Sequence, residues 1–288
     1  GGWETYQGVW VRVLEELDWG SVGQLAGTCR AVREIVVGYE AHFRRDLSLG
    51  KEVRPVPVEE GPLPGRFEYV TTMLCDRELG GVFPGCDCSG RCEGAPPCPC
   101  WGRGGGCVEA PTYRCSPDCS CLCPDKCGVT PPPAVILRHC GTSKGFGLFA
   151  AEPIPRGTTV GNYVGELLSG TELQARRASG RVWCTANYVL VVRETFGART
   201  YRTVVDATRA GNFTRFINHS CDPSLNLVPV RRDSLVPEVA IVTRRSVRYG
   251  EELTISYGSR KRKRSRLDRP CLCGTPQCTG YLPYDSEG

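Results

Sequence analysis

Histidine is scarce in this chain, with three among 288 residues, and long apolar runs are missing. No stretch approaches the ~18 consecutive apolar residues that a membrane-spanning helix requires, so a membrane partner is not expected. No charged-then-apolar leader precedes a small-residue cleavage site, and a non-secreted chain is expected. Extreme composition is also missing: 40% hydrophobic and 23% charged residues with a formal charge of +5 exclude disorder over most of the length. The length points to roughly two domains. What the chain has in excess is cysteine, 19 residues, beside 35 glycines and 22 prolines.

Arrangement decides what the cysteines do. Eleven fall between Cys86 and Cys127, four more are Cys221, Cys271, Cys273 and Cys278, and Cys29, Cys75, Cys140 and Cys184 are scattered. The pairs Cys86/Cys88, Cys98/Cys100, Cys119/Cys121 and Cys271/Cys273 have one residue between them. Such neighbours cannot easily bridge each other, whereas two thiolates at that spacing can face one or two adjacent metal ions. An odd total also suits a disulfide framework poorly. Zinc is therefore expected for the clustered set, and small buried hydrophobes for the scattered four.

Composition then divides the chain. Residues 1–60 carry seven Lys/Arg against ten Asp/Glu, leaving the remainder at +8. The stretch KEVRPVPVEEGPLPGR opens a region, residues 51–84, expected as a linker. Residues 85–130 are too poor in apolar side chains for an ordinary core, so metal must hold them. From Val135 to Tyr257 come short apolar runs such as NYVGELL, NYVLVV, TYRTVV, EVAIVT and ELTISY between turn residues, the pattern of many short strands. Little of this stretch has helical period, apart from TELQARRA, Thr171 to Ala178.

Four motifs follow in order: KGFGLFAAEPIPRGTTVGNYVGELLS, RFINHSCDP, GEELTISYG and CLCGTPQC. With the flanking cysteine patterns they resemble the SET-domain lysine methyltransferases of the suppressor-of-variegation branch. The resemblance implies a mainly β fold of several small sheets with a C-terminal pseudoknot. It places a pre-SET zinc cluster at 85–130, a SET catalytic domain at 131–258, a basic linker at 259–270 and a post-SET zinc segment at 271–288.

In that family nine pre-SET cysteines hold three zinc ions. Cys86, Cys88, Cys92, Cys98, Cys100, Cys115, Cys119 and Cys121 match eight of them, and the ninth is Cys127 or Cys123. Cys271, Cys273 and Cys278 supply three of the four thiolates of a structural zinc site, and the family completes it with the cysteine of NHSC, here Cys221. The S-adenosylmethionine site is implied at Lys144, Gly145, Phe146 and Gly147, where Phe146 replaces the usual tryptophan, and at Tyr188, Asn218 and His219. Tyr257 matches the catalytic tyrosine and Tyr163 a second channel tyrosine. The implied reaction is methyl transfer from a sulfonium to a lysine amine. The substrate implied is the histone H3 tail or nucleosome, with lysine 9 favoured and lysine 36 open, in the nucleus on chromatin.

Two departures stand out. Ile255 occupies the aromatic position that helps set the number of methyl groups, with Ser256 in place of an aspartate, and the family's C-x-P-N has become Cys221-Asp222-Pro223-Ser224. These changes leave a catalytically weak SET-type peptide-binding protein as the alternative. Isoleucine has no hydroxyl to hold a water, so a di- or trimethyl product is expected. The run RKRKRSR, Arg260 to Arg266, puts six positive charges in seven residues; it reads as a loop, a nuclear import signal or a weak DNA contact over 260–269.

Residues 9–47 place Val13, Leu14, Leu17, Val22, Leu25, Cys29, Val32, Ile35 and Val36 at helical spacing, with breaks expected near Gly20 and Gly38. This helical module, residues 1–50, resembles an F-box, which implies a Skp-type adaptor as partner. A small helical cap packed on the SET domain is the other expectation.

Overall fold

The computed structural model describes residues 13–14, 17–75, 112–113, 131–141, 143–179, 187–196, 198–231, 234, 236–258 and 269–283. Every expected pre-SET ligand, from Cys86 to Cys127, and the run from Arg260 to Arg266 lie outside these residues.

Asp18 starts helix α1 (Trp19–Ala26) by accepting a hydrogen bond from the Ser21 N–H at 2.9 Å. After a turn at Gly27 and Thr28 comes α2 (Arg30–Arg45). The break expected near Gly38 does not occur, and α2 runs through it. Val36, Tyr39 and Phe43 lie on one buried stripe, and that burial outweighs the roughly 1 kcal/mol cost of a helical glycine. Leu14, Val22, Val36 and Tyr39 form a small core, while Phe43 and Leu47 belong to the main one. Arg66 Nη2 donates to Tyr39 Oη at 2.8 Å and Arg44 Nη2 to the Gly61 carbonyl at 2.7 Å. The helical pair is thus seated on the body that follows it.

Residues 51–75, expected to link, are packed into that body. In the segment Val56-Pro57-Val58 the valines alternate inward and are 2% and 6% exposed, while proline fixes an extended backbone. The Leu137 N–H donates to the Pro57 carbonyl at 2.8 Å and the Glu59 N–H to the Leu137 carbonyl at 2.9 Å. Asp46 holds the entry to this segment, accepting from the N–H groups of Ser48, Gly50 and Val56. Burial opposes its charge, but these hydrogen bonds prevail and hold the carboxyl below its ordinary value.

The rest is mainly β. The strands are β1 (Glu68–Tyr69), β2 (Thr112–Tyr113), β3 (Val135–His139), β4 (Phe146–Ala150), β5 (Thr159–Tyr163) and β6 (Glu166–Leu168). A short helix, α3 (Gly170–Ala178), then carries a Ser169/Glu172 capping box and fulfils the TELQARRA expectation. After it come β7 (Val189–Phe196), β8 (Arg199–Asp206), β9 (Ala210–Gly211), β10 (Asn218–His219), β11 (Leu225–Arg231), β12 (Glu238–Thr243) and β13 (Thr254–Ile255). Among the described residues they form five small sheets, ordered β1-β9, β10-β13, β2-β11-β12-β5, β3-β4 and β6-β8-β7. Side chains of these sheets share a main core around Leu137, Leu148, Ile154, Val160, Ile241 and Leu253, and the other face of β6-β8-β7 forms a smaller cluster, Leu168 and Val204, with Leu173 of α3.

Candidate active site

Two short segments far apart in sequence build the site. Asn218-His219 pairs in parallel with Thr254-Ile255, His219 lying opposite Ile255. A single 3-10 turn, Phe213–Phe216, delivers the first segment; Asn212 caps it by accepting from Thr214 N at 3.1 Å. The crossing brings RFINHSC against ELTISYG, as the resemblance implies.

The expected cofactor turn lies beside this crossing. Gly145 has φ +73°, a left-handed conformation that costs glycine nothing. Gly147 is needed for space, because a Cβ there would stand 2.8 Å from Glu252 Oε1 and 3.0 Å from both Asn218 Nδ2 and Cys140 Sγ. Asn218 Nδ2 donates to the Phe146 carbonyl at 3.0 Å and to Glu252 Oε1 at 2.9 Å. The other Glu252 oxygen pairs with Lys144. Lys144, Gly145, Phe146, Gly147 and Asn218 are therefore neighbours, tied by Glu252, a residue that sequence reading leaves unassigned.

Aromatic rings close the next layer. The Phe146 ring meets His139 edge-on at 5.1 Å and Phe216 at 6.0 Å, and Tyr188 meets Phe216 at 6.3 Å. The Arg215 guanidinium lies 4.1 Å from the Phe67 ring centroid and 3.8 Å from that of Tyr188, a buried cation between two aromatic faces. Arg215 was also unassigned, although it stands inside RFINHSC.

The two tyrosines are brought together with their hydroxyl protons committed. Tyr163 Oη donates to the Tyr188 carbonyl at 2.7 Å and Tyr257 Oη to the Ile217 carbonyl at 2.9 Å. Tyr163 is 6% exposed; the Tyr257 residue is 43% exposed, but its hydroxyl end is turned inward. Burial raises both phenols far above their ordinary value, and each is raised further by a neighbouring tyrosine, Tyr163 by Tyr257 and Tyr257 by Tyr188. Neither can act as a base near neutrality. Each oxygen keeps lone pairs with which to accept from an amine.

His219 is 5% exposed, and its ring is engaged within the protein. Nδ1 accepts from the Tyr257 N–H at 3.1 Å, and Nε2 lies 3.5 Å from Cys221 Sγ. Burial holds the imidazole below its ordinary value.

The sulfur atoms of Cys221, Cys271, Cys273 and Cys278 all lie within 4.8 Å of one another. A tetrahedral ion with bonds of about 2.3 Å needs sulfurs about 3.8 Å apart, and Cys221 and Cys271 are 3.9 Å apart. The Thr279 N–H faces Cys221 Sγ and the Gly280 N–H faces Cys278 Sγ, both at 3.4 Å. Burial pushes the Cys271 thiol up to about 12. At Cys273 burial is outweighed by hydrogen bonds from Thr275, and the thiol falls to about 5. Four sulfurs at this spacing fit a single metal ion.

A catalytic body of this shape, with the N-H pair crossing the terminal tyrosine strand, defines a SET-domain protein. The SET domain family model matches residues 145–258. The chain is 31% identical over 280 residues to histone-lysine N-methyltransferase SETMAR of Rattus norvegicus, covering 85% of this chain and 89% of that one. It is 31% identical to the probable histone-lysine N-methyltransferase set-23 of Caenorhabditis elegans, covering 74% of this chain and 93% of that protein. Among solved structures, the methyltransferase domain of human SETMAR superposes with a TM-score of 0.69 at 30% identity, covering 84% of this chain and 98% of that one. Arabidopsis thaliana SUVH6 in complex with SAM superposes at 0.66 and 25% identity, covering 83% of this chain and 55% of that one. The chain belongs to the SET-domain histone-lysine methyltransferases, enzymes that use S-adenosylmethionine.

Proposed function

We propose that the protein methylates a lysine of the histone H3 tail, lysine 9 in the favoured reading, giving a di- or trimethyl product. The observation that carries the assignment of roles is the commitment of both phenol protons to backbone carbonyls at Ile217 and Tyr188. S-adenosylmethionine supplies an electrophilic methyl group on a positively charged sulfur. The backbone at Lys144 to Gly147 and the side chain of Asn218 hold it, with Tyr188 as an aromatic wall. The lone pairs of Tyr257 and Tyr163 orient the substrate amine and fix its line of approach, which supplies much of the rate through alignment. Neither phenol removes the lysine proton. The desolvating channel and the adjacent positive charge lower the ammonium's pKa, and the proton leaves to water.

Ile255 is 3% exposed and held opposite His219. It puts no hydroxyl beside the amine, which supports more than one round of transfer. Zinc is the metal this reading assigns to Cys221, Cys271, Cys273 and Cys278, and the segment 85–130 is assigned three further zinc ions. The N-terminal helices act as a cap, since Phe43 and Leu47 are already used in the main core. Function on chromatin in the nucleus follows from a histone substrate.

A histone peptide array incubated with labelled S-adenosylmethionine tests the reading. Label is expected on H3 peptides, higher methyl states are expected by mass spectrometry, and Tyr257→Phe is expected to reduce transfer by orders of magnitude with cofactor binding retained. Transfer unchanged in Tyr257→Phe would remove its role, and a strictly monomethyl product would overturn the reading of Ile255.

A further inference from the structure

His219 lies between the four-cysteine group and the catalytic tyrosine and touches both. Its Nδ1 accepts from the Tyr257 N–H at 3.1 Å. A backbone amide can only donate, so Nδ1 must carry a lone pair. In a neutral ring the single proton is then on Nε2, the nitrogen 3.5 Å from Cys221 Sγ. His219 itself is outside the group of four ligand atoms that lie within 4.8 Å of one another. Its place is therefore that of a donor to a ligand, not of a ligand.

The Ile255 carbonyl offers a ring N–H a second acceptor, but the Tyr257 N–H assigns the lone pair to Nδ1 and therefore the proton to Nε2. His219 is 5% exposed, its backbone is fixed by pairing with Ile255, and its ring centroid is 5.3 Å from that of Tyr257. The Ser220 N–H donates to the Ile255 carbonyl at 3.0 Å, so the strand cannot rotate His219 away without breaking the crossing. An N–H donated to a metal-bound thiolate stabilises its charge and fixes the ring's tautomer.

We infer that His219 is a positioning residue that couples the Cys221 metal site to Tyr257, donating from Nε2 to the Cys221 thiolate and accepting the Tyr257 N–H at Nδ1. The inference rests on the reading that the four cysteines hold zinc. Loss of the ion would release Cys221, remove the acceptor of the Nε2 proton and loosen the ring that holds the backbone of Tyr257. Metal occupancy and tyrosine placement thus form one equilibrium, reciprocal by linkage.

Two substitutions separate the halves of this link. In His219→Gln the amide nitrogen reaches the former Nε2 position and can still donate to Cys221. In His219→Asn the amide oxygen replaces Nδ1 as acceptor, but nothing reaches the sulfur. Zinc-loaded full-length chains are titrated with a chelator, and alkylation of Cys271, Cys273 and Cys278 is followed by mass spectrometry, with circular dichroism confirming the fold. His219→Asn is expected to expose these cysteines at a chelator concentration at least roughly tenfold lower than the parent protein requires, and His219→Gln to stay within about threefold of the parent, less than half a decade in affinity. Equal behaviour of both variants, whether parental or weakened, would overturn the inference. Should either variant fail to fold, nitrogen NMR of the parent protein decides: an Nε2–H tautomer supports the link, and an Nδ1–H tautomer overturns it. Both readouts are independent of methyl transfer, so failure of the proposed reaction would remain distinguishable.

Discussion

Glu252 accepts a hydrogen bond from Asn218 Nδ2 at 2.9 Å while its second oxygen holds Lys144. One carboxylate thus ties the strand entering β13, the N-H pair of β10 and the turn expected to cradle the cofactor. Glu252→Ala leaves the Asn218 amide with one partner fewer and frees Lys144. An unsatisfied donor costs about 1–3 kcal/mol, which corresponds to a loss of roughly 5- to 150-fold in cofactor affinity. Glu252→Gln keeps an acceptor for Asn218 and should lose less. Calorimetric titration with S-adenosylmethionine checks the order; equal affinities in all three proteins would show that the carboxylate does not shape the site.

Two glycines in that turn should respond differently to the same change. At Gly147 an added Cβ would meet Glu252 Oε1 at 2.8 Å and Asn218 Nδ2 at 3.0 Å, so Gly147→Ala must displace the bridge. At Gly145 nothing lies within 4 Å, and the obstacle is φ +73° alone, a strain of about 1–2 kcal/mol. Gly147→Ala is therefore expected to lose most cofactor binding, whereas Gly145→Ala is expected to lower stability with affinity less affected. Melting and binding measured on both variants would contradict the steric account if the pattern reversed.

Alkaline pH should reveal the buried phenols. Tyr69, Tyr163 and Tyr257 are all raised by burial above the ordinary tyrosine value, close to 10 in an unfolded chain. At high pH the native state keeps protons that the unfolded chain releases, so stability is full below about pH 10 and falls as pH rises. Of the 11 tyrosines, these three should ionise only as the protein unfolds. A tyrosinate absorbance titration, compared with the unfolding curve, checks this; three early-ionising groups at these positions, identified by Tyr→Phe variants, would refute it.

Much of the site was legible because each motif carries its residues in a fixed order. Asn218, His219, Tyr257 and Cys221 lie in two short words that the β10-β13 crossing brings together, and Cys221 reaches Cys271, Cys273 and Cys278 as the family resemblance implies. Glu252 and Arg215 were printed inside the same words. Their roles depend on contacts with Lys144, Phe67 and Tyr188 across the fold, which no local pattern encodes. The helix through Gly38 and the packing of Val56 and Val58 were hidden for a related reason. Glycine and proline report local preference, whereas burial against Leu137 and the main core is decided by residues far along the chain.

The ion pair between Arg231 and Glu194 offers a test of how the sheets are held together. Two contacts of 2.8 Å join the guanidinium to both carboxylate oxygens, and the side chains are only 7% and 9% exposed. Glu194 is on β7 and Arg231 ends β11, so the pair clamps the β7-β8 hairpin, which follows Tyr188, onto the four-stranded sheet. Removing one partner strands the other charge in a dry site and costs about 3–5 kcal/mol, whereas an apolar pair of similar volume can be neutral. Arg231→Met should therefore melt well below the parent, and the double variant Glu194→Leu, Arg231→Met should recover most of the loss. The double variant keeps the packing of Leu190, Val192 and Val205 on the main core but lacks the ion pair, so its hairpin holds Tyr188, whose carbonyl receives the Tyr163 hydroxyl, less tightly. Melting temperature should recover in the double variant while turnover does not. Recovery of both would confine the pair to stability, and recovery of neither would show that the cost is lost packing, not an orphaned charge.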